Sequence, residues 1–188
     1  MIKQMVFLEF FGAFITLLGV WLTARGKTSG WLAGIGGAAI YTYICFHSKL
    51  YAESTLQAIY AGMGFYGWLA WKNTQNTSFQ VKTISTLTFS LNLLIWLLLT
   101  MFTGIVLEKY ADTDLPYTDA FLAAAGLVLT WQMAKRYLEC WTGWMVVNLL
   151  SVIVFLFRHL YISALLYFIL AILAWYGHKQ WKKLFESP

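Results

Sequence analysis

The sequence predicts an all-α integral membrane protein with seven transmembrane helices. Hydrophobic residues make up 60% of its 188 residues and charged residues only 11%. Soluble domains carry about 45–50% apolar and about 25% charged residues, so this chain has too few polar groups to cover a surface that faces water. The apolar residues also form seven long runs. Such runs favour helices, because the strands of a membrane barrel alternate over about ten residues.

The apolar runs approach the length of a membrane-spanning helix, which needs roughly 20 mostly apolar residues. The predicted spans are Val6–Thr23, Gly30–Phe46, Ser54–Trp71, Ile84–Leu107, Thr118–Met133, Trp141–Phe157 and Leu160–Tyr176. The sixth and seventh are separated only by Arg158 and His159, which predicts a tight helical hairpin. The first run has no small-residue cleavage site and continues to spanning length, so we interpret it as a retained helix.

The basic residues indicate the direction in which the chain crosses the membrane. Most of them follow spans one, three, five and seven: Arg25, Lys27, Lys72, Lys82, Lys135, Arg136, Lys179, Lys182 and Lys183. The other side carries Lys3, Lys49, Lys109 and Arg158. The positive-inside rule then places the N-terminus outside and the C-terminus in the cytoplasm. Because these residues flank spans, the net charge of +5 is explained without a nucleic-acid partner.

An internal repeat relates the two ends of the chain. A shift of 110 residues aligns Trp31 with Trp141 and, without a gap, Trp71 with Trp181. Spans one to three therefore match spans five to seven, and span four lies between them. Because span four crosses the membrane once more, the two triplets run in the same direction. This is the 3+1+3 plan of SWEET-type carriers. The predicted domains are 1–73 (first three-helix repeat), 74–110 (linker loop and fourth helix) and 111–188 (second repeat).

Polar side chains inside apolar spans are the candidates for a solute site between the triplets, because such groups are costly in a bilayer. The candidate residues are Gln57, Tyr60, Asn92, Trp96, Trp144, Asn148 and Glu9. Asn148 follows Trp144 by one helical turn, so both share a face. Asn92 with Trp96 and Gln57 with Tyr60 repeat this combination of an amide and a ring. It suits a flat, hydrogen-bonding and cationic heterocycle. The alternative is that the amides only join helices to one another.

The sequence lacks patterns that indicate catalysis or a cofactor. There is no Walker A motif, metal-ligand cluster or nucleophile–base pair, so we expect no enzyme, metal or cofactor. Cys45 and Cys140 are interpreted as packing residues. Glu9 is the one acid within an apolar run, which favours facilitated diffusion over ion coupling. An interfacial belt is expected at the span ends, where four tryptophans lie: Trp31, Trp71, Trp141 and Trp181.

Two segments carry a family resemblance. The first runs from Leu50-Tyr51-Ala52-Glu53 through Gln57 to Tyr66-Gly67-Trp68-Leu69-Ala70-Trp71, and the second from Trp131-Gln132 through Glu139-Cys140-Trp141-Thr142-Gly143-Trp144 to Asn148. Together they resemble the PnuC family of bacterial vitamin transporters over nearly the whole chain.

This resemblance implies a 3+1+3 fold in a bacterial inner membrane and vitamin uptake without direct energy coupling. It implies nicotinamide riboside as the usual substrate, with thiamine or riboflavin in related branches. It also implies a cytoplasmic kinase that traps the solute by phosphorylation, as a functional partner. The family's pocket maps here to Gln57, Trp144 and Asn148.

The chain departs from the nicotinamide riboside pattern at two positions. Cys140 replaces the usual asparagine, and Asn148 replaces an expected acid. These changes favour thiamine, as in the PnuT branch, although both vitamins are flat cations that fit the same kind of pocket. Two other classes stay open, namely a substrate-binding membrane subunit of an ATP-driven uptake system and a small intramembrane enzyme or assembly factor. The sequence also leaves a homo-oligomer open.

Overall fold

The computed structural model describes residues 2–72, 79–111 and 113–187, and within these ranges the chain forms seven α-helices and no β-strand. The helices are α1 (Ile2–Ala24), α2 (Ser29–His47), α3 (Tyr51–Lys72), α4 (Thr86–Tyr110), α5 (Pro116–Ala134), α6 (Glu139–Phe157) and α7 (Tyr161–Glu186). Each predicted span coincides with one helix, so the prediction of seven helices is confirmed. The largest difference is at α7, which continues to Glu186 because the lysines that end the apolar run are good helix formers.

Four of these helices, α1, α4, α6 and α7, are long and apolar enough to cross a membrane on length and composition. The other three are less apolar. Among them, α5 packs against α3, α4 and α6 and has many buried residues. A helix enclosed by its neighbours needs fewer side chains that are compatible with lipid. The chain is therefore a multi-pass membrane protein in which some helices are shielded by others.

The packing order of the helices brings the two ends of the chain together. α2 packs against α1 and α3, and α6 packs against α5 and α7. α1 also contacts α7, and α3 contacts α5. These contacts link six helices into a ring, whereas α4 packs against α5 alone among the described helices. Asn92 and Trp96, which lie on α4, are therefore outside the ring.

The turns between successive helices have the same backbone conformation in the two halves of the chain. Gly26 and Arg136, which are 110 residues apart, have φ angles of +69° and +66°. Lys49 and His159, with the same spacing, have φ angles of +62° and +57°. In each turn the next backbone N–H donates to the carbonyl five residues before it, which is the hydrogen bond of a Schellman motif. The repeat that is seen in the sequence thus recurs in the conformation of the turns.

Four tryptophans near helix ends are buried rather than interfacial. Trp31, Trp71, Trp141 and Trp181 are at most 5% exposed. The ring centroids of Trp31 and Trp71 are 5.4 Å apart and nearly perpendicular, and the same geometry joins the equivalent pair in the second half. Gly67 and Gly177 leave space for these rings, because a β-carbon at either position would lie within 2.6 Å of an indole. The prediction of an interfacial belt is wrong, because the helix ends converge here and enclose the rings.

Residues 79–85, which we name the docking segment, lie against the turn between α5 and α6. The Lys82 backbone N–H donates to the Arg136 carbonyl at 2.9 Å, and its carbonyl accepts from the Leu138 N–H at 2.8 Å. Phe79 packs against the Trp71 ring at 4.8 Å and lies under the Arg136 guanidinium at 4.9 Å. Burial in this contact lowers the pKa of Arg136. The docking segment therefore covers the cluster of buried tryptophans.

An ion pair joins the first turn of α5 to the C-terminal end of α6. Arg158, in the turn before α7, donates to both carboxylate oxygens of Asp119 at 2.9 and 3.0 Å. Asp119 also accepts a hydrogen bond from Thr113 at 2.6 Å. The hydrogen bond with Asp119 raises the pKa of Arg158. This contact ties the loop between α4 and α5 to the turn between α6 and α7.

Candidate functional site

A cavity of about 280 Å³ lies within the ring of six helices, and α4 takes no part in its lining. Several lining residues pair across the two halves at a spacing of 110: Gly34 with Trp144, Ala38 with Asn148, and Gln57 with Tyr167. No charged side chain of the described residues lines it. Its volume is near the lower end of the range for small-molecule pockets, about 300–1,000 Å³. The cavity is thus a small and uncharged site that both halves build.

The structure brings four of the seven predicted site residues to this cavity. Trp144 and Asn148 line it from α6, and Gln57 and Tyr60 line it from α3. Asn148 is 4% exposed. The Tyr60 hydroxyl lies 3.5 Å from a backbone oxygen of α5, and the absence of a side chain at Gly126 leaves room for it. The helical spacing that the sequence shows therefore places an amide and a ring on the cavity from each of two helices.

Three tryptophans that line the cavity carry an indole N–H group that lacks a hydrogen-bond acceptor among the described residues. These are Trp31, Trp141 and Trp144, and each nitrogen is buried. Leaving a buried donor unpaired costs about 1–3 kcal/mol. The cavity therefore has an aromatic lining, and the indole nitrogens of that lining are covered and lack a partner among the described residues.

The other three predicted site residues do not line this cavity. Trp96 donates its indole N–H to the Phe121 carbonyl at 3.0 Å and packs on the Phe121 ring. Asn92 is 7% exposed on α4, and its amide nitrogen has no partner among the described residues. Glu9 lies on the exposed side of α1, and its backbone carbonyl is within 3.4 Å of the Tyr41 hydroxyl. Spacing along α4 identified a shared face, but that face lies against α5.

Sequence reasoning did not assign Trp31, Trp141, Tyr167 or Gly34 to the site. The positions of Trp31 and Trp141 near helix ends predict an interfacial role instead. The internal repeat is the sequence feature that points to further site residues, because Gly34 is equivalent to Trp144 and Tyr167 is equivalent to Gln57.

Apolar helices around an internal, uncharged and aromatic cavity define a membrane transporter for a small solute. A family model described as nicotinamide mononucleotide transporter matches residues 6–183, and the chain belongs to this family. The resemblance to the PnuC transporters is thereby confirmed, as is the prediction that the protein is a transporter and not an enzyme.

Curated relatives and a solved structure agree with this assignment. The chain is 23% identical over 201 residues to the nicotinamide riboside transporter PnuC of Escherichia coli, covering 93% of this chain and 84% of that protein. It is 28% identical over 179 residues to PnuC of Haemophilus influenzae, covering 89% and 76%. The crystal structure of the vitamin B3 transporter PnuC has the same fold, with a TM-score of 0.78 and 24% identity over 96% of this chain and 82% of that one.

Proposed function

We propose that this protein carries a flat cationic vitamin, thiamine or nicotinamide riboside, across a bacterial inner membrane by facilitated diffusion. The observation that carries this proposal is a cavity that is lined by aromatic rings and amides and by no charged side chain of the described residues. Relatives named as nicotinamide riboside transporters support the substrate class.

The chemistry of the cavity suits a permanent organic cation. Aromatic faces attract a cation without a carboxylate, and tryptophan is the strongest of them. The hydroxyl groups, carboxamide or aminopyrimidine of these vitamins need hydrogen-bond partners. Asn148 and Gln57 offer both donors and acceptors to the same molecule. A neutral wall also binds a cation weakly enough to release it on the other side.

The absence of basic side chains from the described lining supports trapping by phosphorylation. A phosphate that enters an uncharged cavity loses its hydration without gaining an ion pair, which is strongly unfavourable. A cytoplasmic kinase that phosphorylates the vitamin would therefore prevent its return. The absence of an acidic side chain from the lining residues that the structure describes supports transport without proton or ion coupling.

The proposal includes a 3+1+3 layout, with 1–73 and 111–188 as parallel repeats and 74–110 as the linker. The recurring turns, tryptophan pairs and cavity positions at a spacing of 110 support it. Substrate would bind between the repeats, and one repeat would rock against the other. The distribution of basic residues supports an outer N-terminus and a cytoplasmic C-terminus.

The test is binding and uptake by the purified chain. Intrinsic tryptophan fluorescence would be titrated with thiamine, nicotinamide riboside and riboflavin, and liposomes containing only this protein would be assayed for uptake of the vitamin that binds. We expect saturable binding of thiamine or nicotinamide riboside and uptake that stops at equilibrium. Failure of all three to bind below millimolar concentration would overturn the substrate class. Binding without uptake would indicate a subunit that needs a separate ATPase, and accumulation driven by a proton or sodium gradient would contradict facilitated diffusion.

A further inference from the structure

Gly34 of α2 and Trp144 of α6 occupy equivalent positions in the two halves, but they fill them differently. Both line the cavity. A β-carbon built on Gly34 would meet no atom within 4 Å, whereas its counterpart carries an indole. One helical turn later, Ala38 lines the cavity where the other half places Asn148. The cavity wall that α2 forms therefore carries only a methyl group where the wall that α6 forms carries an indole ring and an amide.

Gly34 is not explained by the packing of α2. Two other glycines of this helix, Gly30 and Gly37, lie against α1, where a β-carbon would collide with Thr23 or Thr16. Gly34 has no such neighbour. Glycine in the interior of a helix is less favourable than alanine, so a glycine with free space destabilises α2 without improving its contacts. What distinguishes Gly34 is that its open space lies at the cavity, which this residue helps to line.

We propose that Gly34 determines substrate specificity by leaving open the space in which the second lobe of a two-lobed cationic vitamin lies. The flat cationic ring of the same molecule contacts Trp144 on the opposite wall. This inference rests on the proposed function, and it adds the shape of the substrate to it. In thiamine the second lobe is a second ring, and in nicotinamide riboside it is a ribose. Because the cavity is only about 280 Å³, one added side chain removes a substantial part of this space.

The experiment compares Gly34→Ala and Gly34→Leu with Gly62→Ala and Gly62→Leu. Gly62 is the matched control, because a β-carbon there would also meet nothing within 4 Å, but the residue lies on the exposed side of α3 and does not line the cavity. Each purified variant would be titrated calorimetrically with the vitamin that the parent protein binds. Its thermal unfolding would be measured in the same detergent.

We expect Gly34→Leu to lower the affinity about tenfold or more, the scale of overfilling a packed site. Gly34→Ala should lower affinity by a smaller factor while unfolding at the same or a higher temperature than the parent. Both Gly62 variants should bind like the parent. If the parent binds the vitamin and Gly34→Leu and Gly34→Ala bind it equally well, the inference is wrong and the proposed function stands. If Gly34→Leu does not fold, Gly34→Ala alone decides in the same way. If the parent binds neither vitamin, the proposed function fails and the inference fails with it.

Discussion

The indole nitrogen of Trp71 donates a hydrogen bond to the backbone oxygen of Ala134 at 3.1 Å, and so joins the last turn of α3 to the last turn of α5. Trp181 of α7 makes a corresponding bond to the Thr23 carbonyl of α1 at 3.3 Å. The first bond has its donor in the N-terminal half and its acceptor in the C-terminal half, and the second bond has the reverse arrangement. They lie beside Trp31 and Trp141, which line the cavity.

Trp71→Phe and Trp181→Phe should each destabilise the protein by a similar amount, about 1–3 kcal/mol, because each loses a buried hydrogen bond and ring volume. Thermal unfolding in detergent would measure the change. Trp175→Phe on α7 is the control, since Trp175 is 50% exposed. Equal unfolding temperatures for Trp71→Phe and Trp175→Phe would contradict the assigned role of the interhelical bonds.

Asn148→Leu should weaken vitamin binding about tenfold while the fold is retained, because the variant removes a hydrogen-bonding amide from the cavity but keeps a side chain of similar size. Calorimetric titration of the purified protein measures the effect. Asn92→Leu is a matched control, as Asn92 is also a buried membrane amide but lies on α4 away from the cavity. If the two variants bind alike, Asn148 serves packing and not the substrate.

Trp144→Phe should reduce affinity several-fold, since Trp144 lines the cavity and an indole ring attracts a cation more strongly than a phenyl ring does. Uptake by proteoliposomes at low substrate concentration would report the loss. Trp96→Phe should leave uptake unchanged, because the Trp96 N–H is already paired with the Phe121 carbonyl and lies outside the cavity. A larger effect of Trp96→Phe than of Trp144→Phe would place the transport path elsewhere.

Reporter fusions should locate the C-terminal end of α3 in the cytoplasm and the C-terminal end of α4 outside. Because lysine and arginine are concentrated near the C-terminal ends of α1, α3, α5 and α7, alkaline phosphatase fused after Tyr110 should be active and the same enzyme fused after Lys72 inactive. A green fluorescent protein at the C-terminus should be fluorescent. The reverse pattern would invert the proposed orientation.

The helices could be predicted from the sequence because they depend on local composition and spacing. Apolar run length gave seven helices, and the pair Trp144 and Asn148 fell on one face because the helical period is fixed. The neighbour that such a face meets is set by long-range packing. Asn92 and Trp96 show this limit, since the same spacing on α4 meets α5 rather than the cavity.

Two further features of the site depended on packing that a linear pattern does not contain. Trp31 and Trp141 became cavity residues because Gly67 and Gly177 on neighbouring helices accept their rings. Gly34 was visible only as one of several glycines in α2. Its open surroundings distinguish it from Gly30 and Gly37 only when the position of α1 is known.

The docking segment and α4 both attach to the C-terminal half, so the two halves contain unequal numbers of helices. The backbone hydrogen bonds of the docking segment with the α5–α6 turn fix it at one end of α5, and α4, which follows it directly, packs on the same helix. In the proposed rocking motion, three helices would move on one side and four on the other. The fourth helix adds mass and lipid contact to the C-terminal half only. Displacement of the three-helix, N-terminal half would therefore disturb the bilayer less.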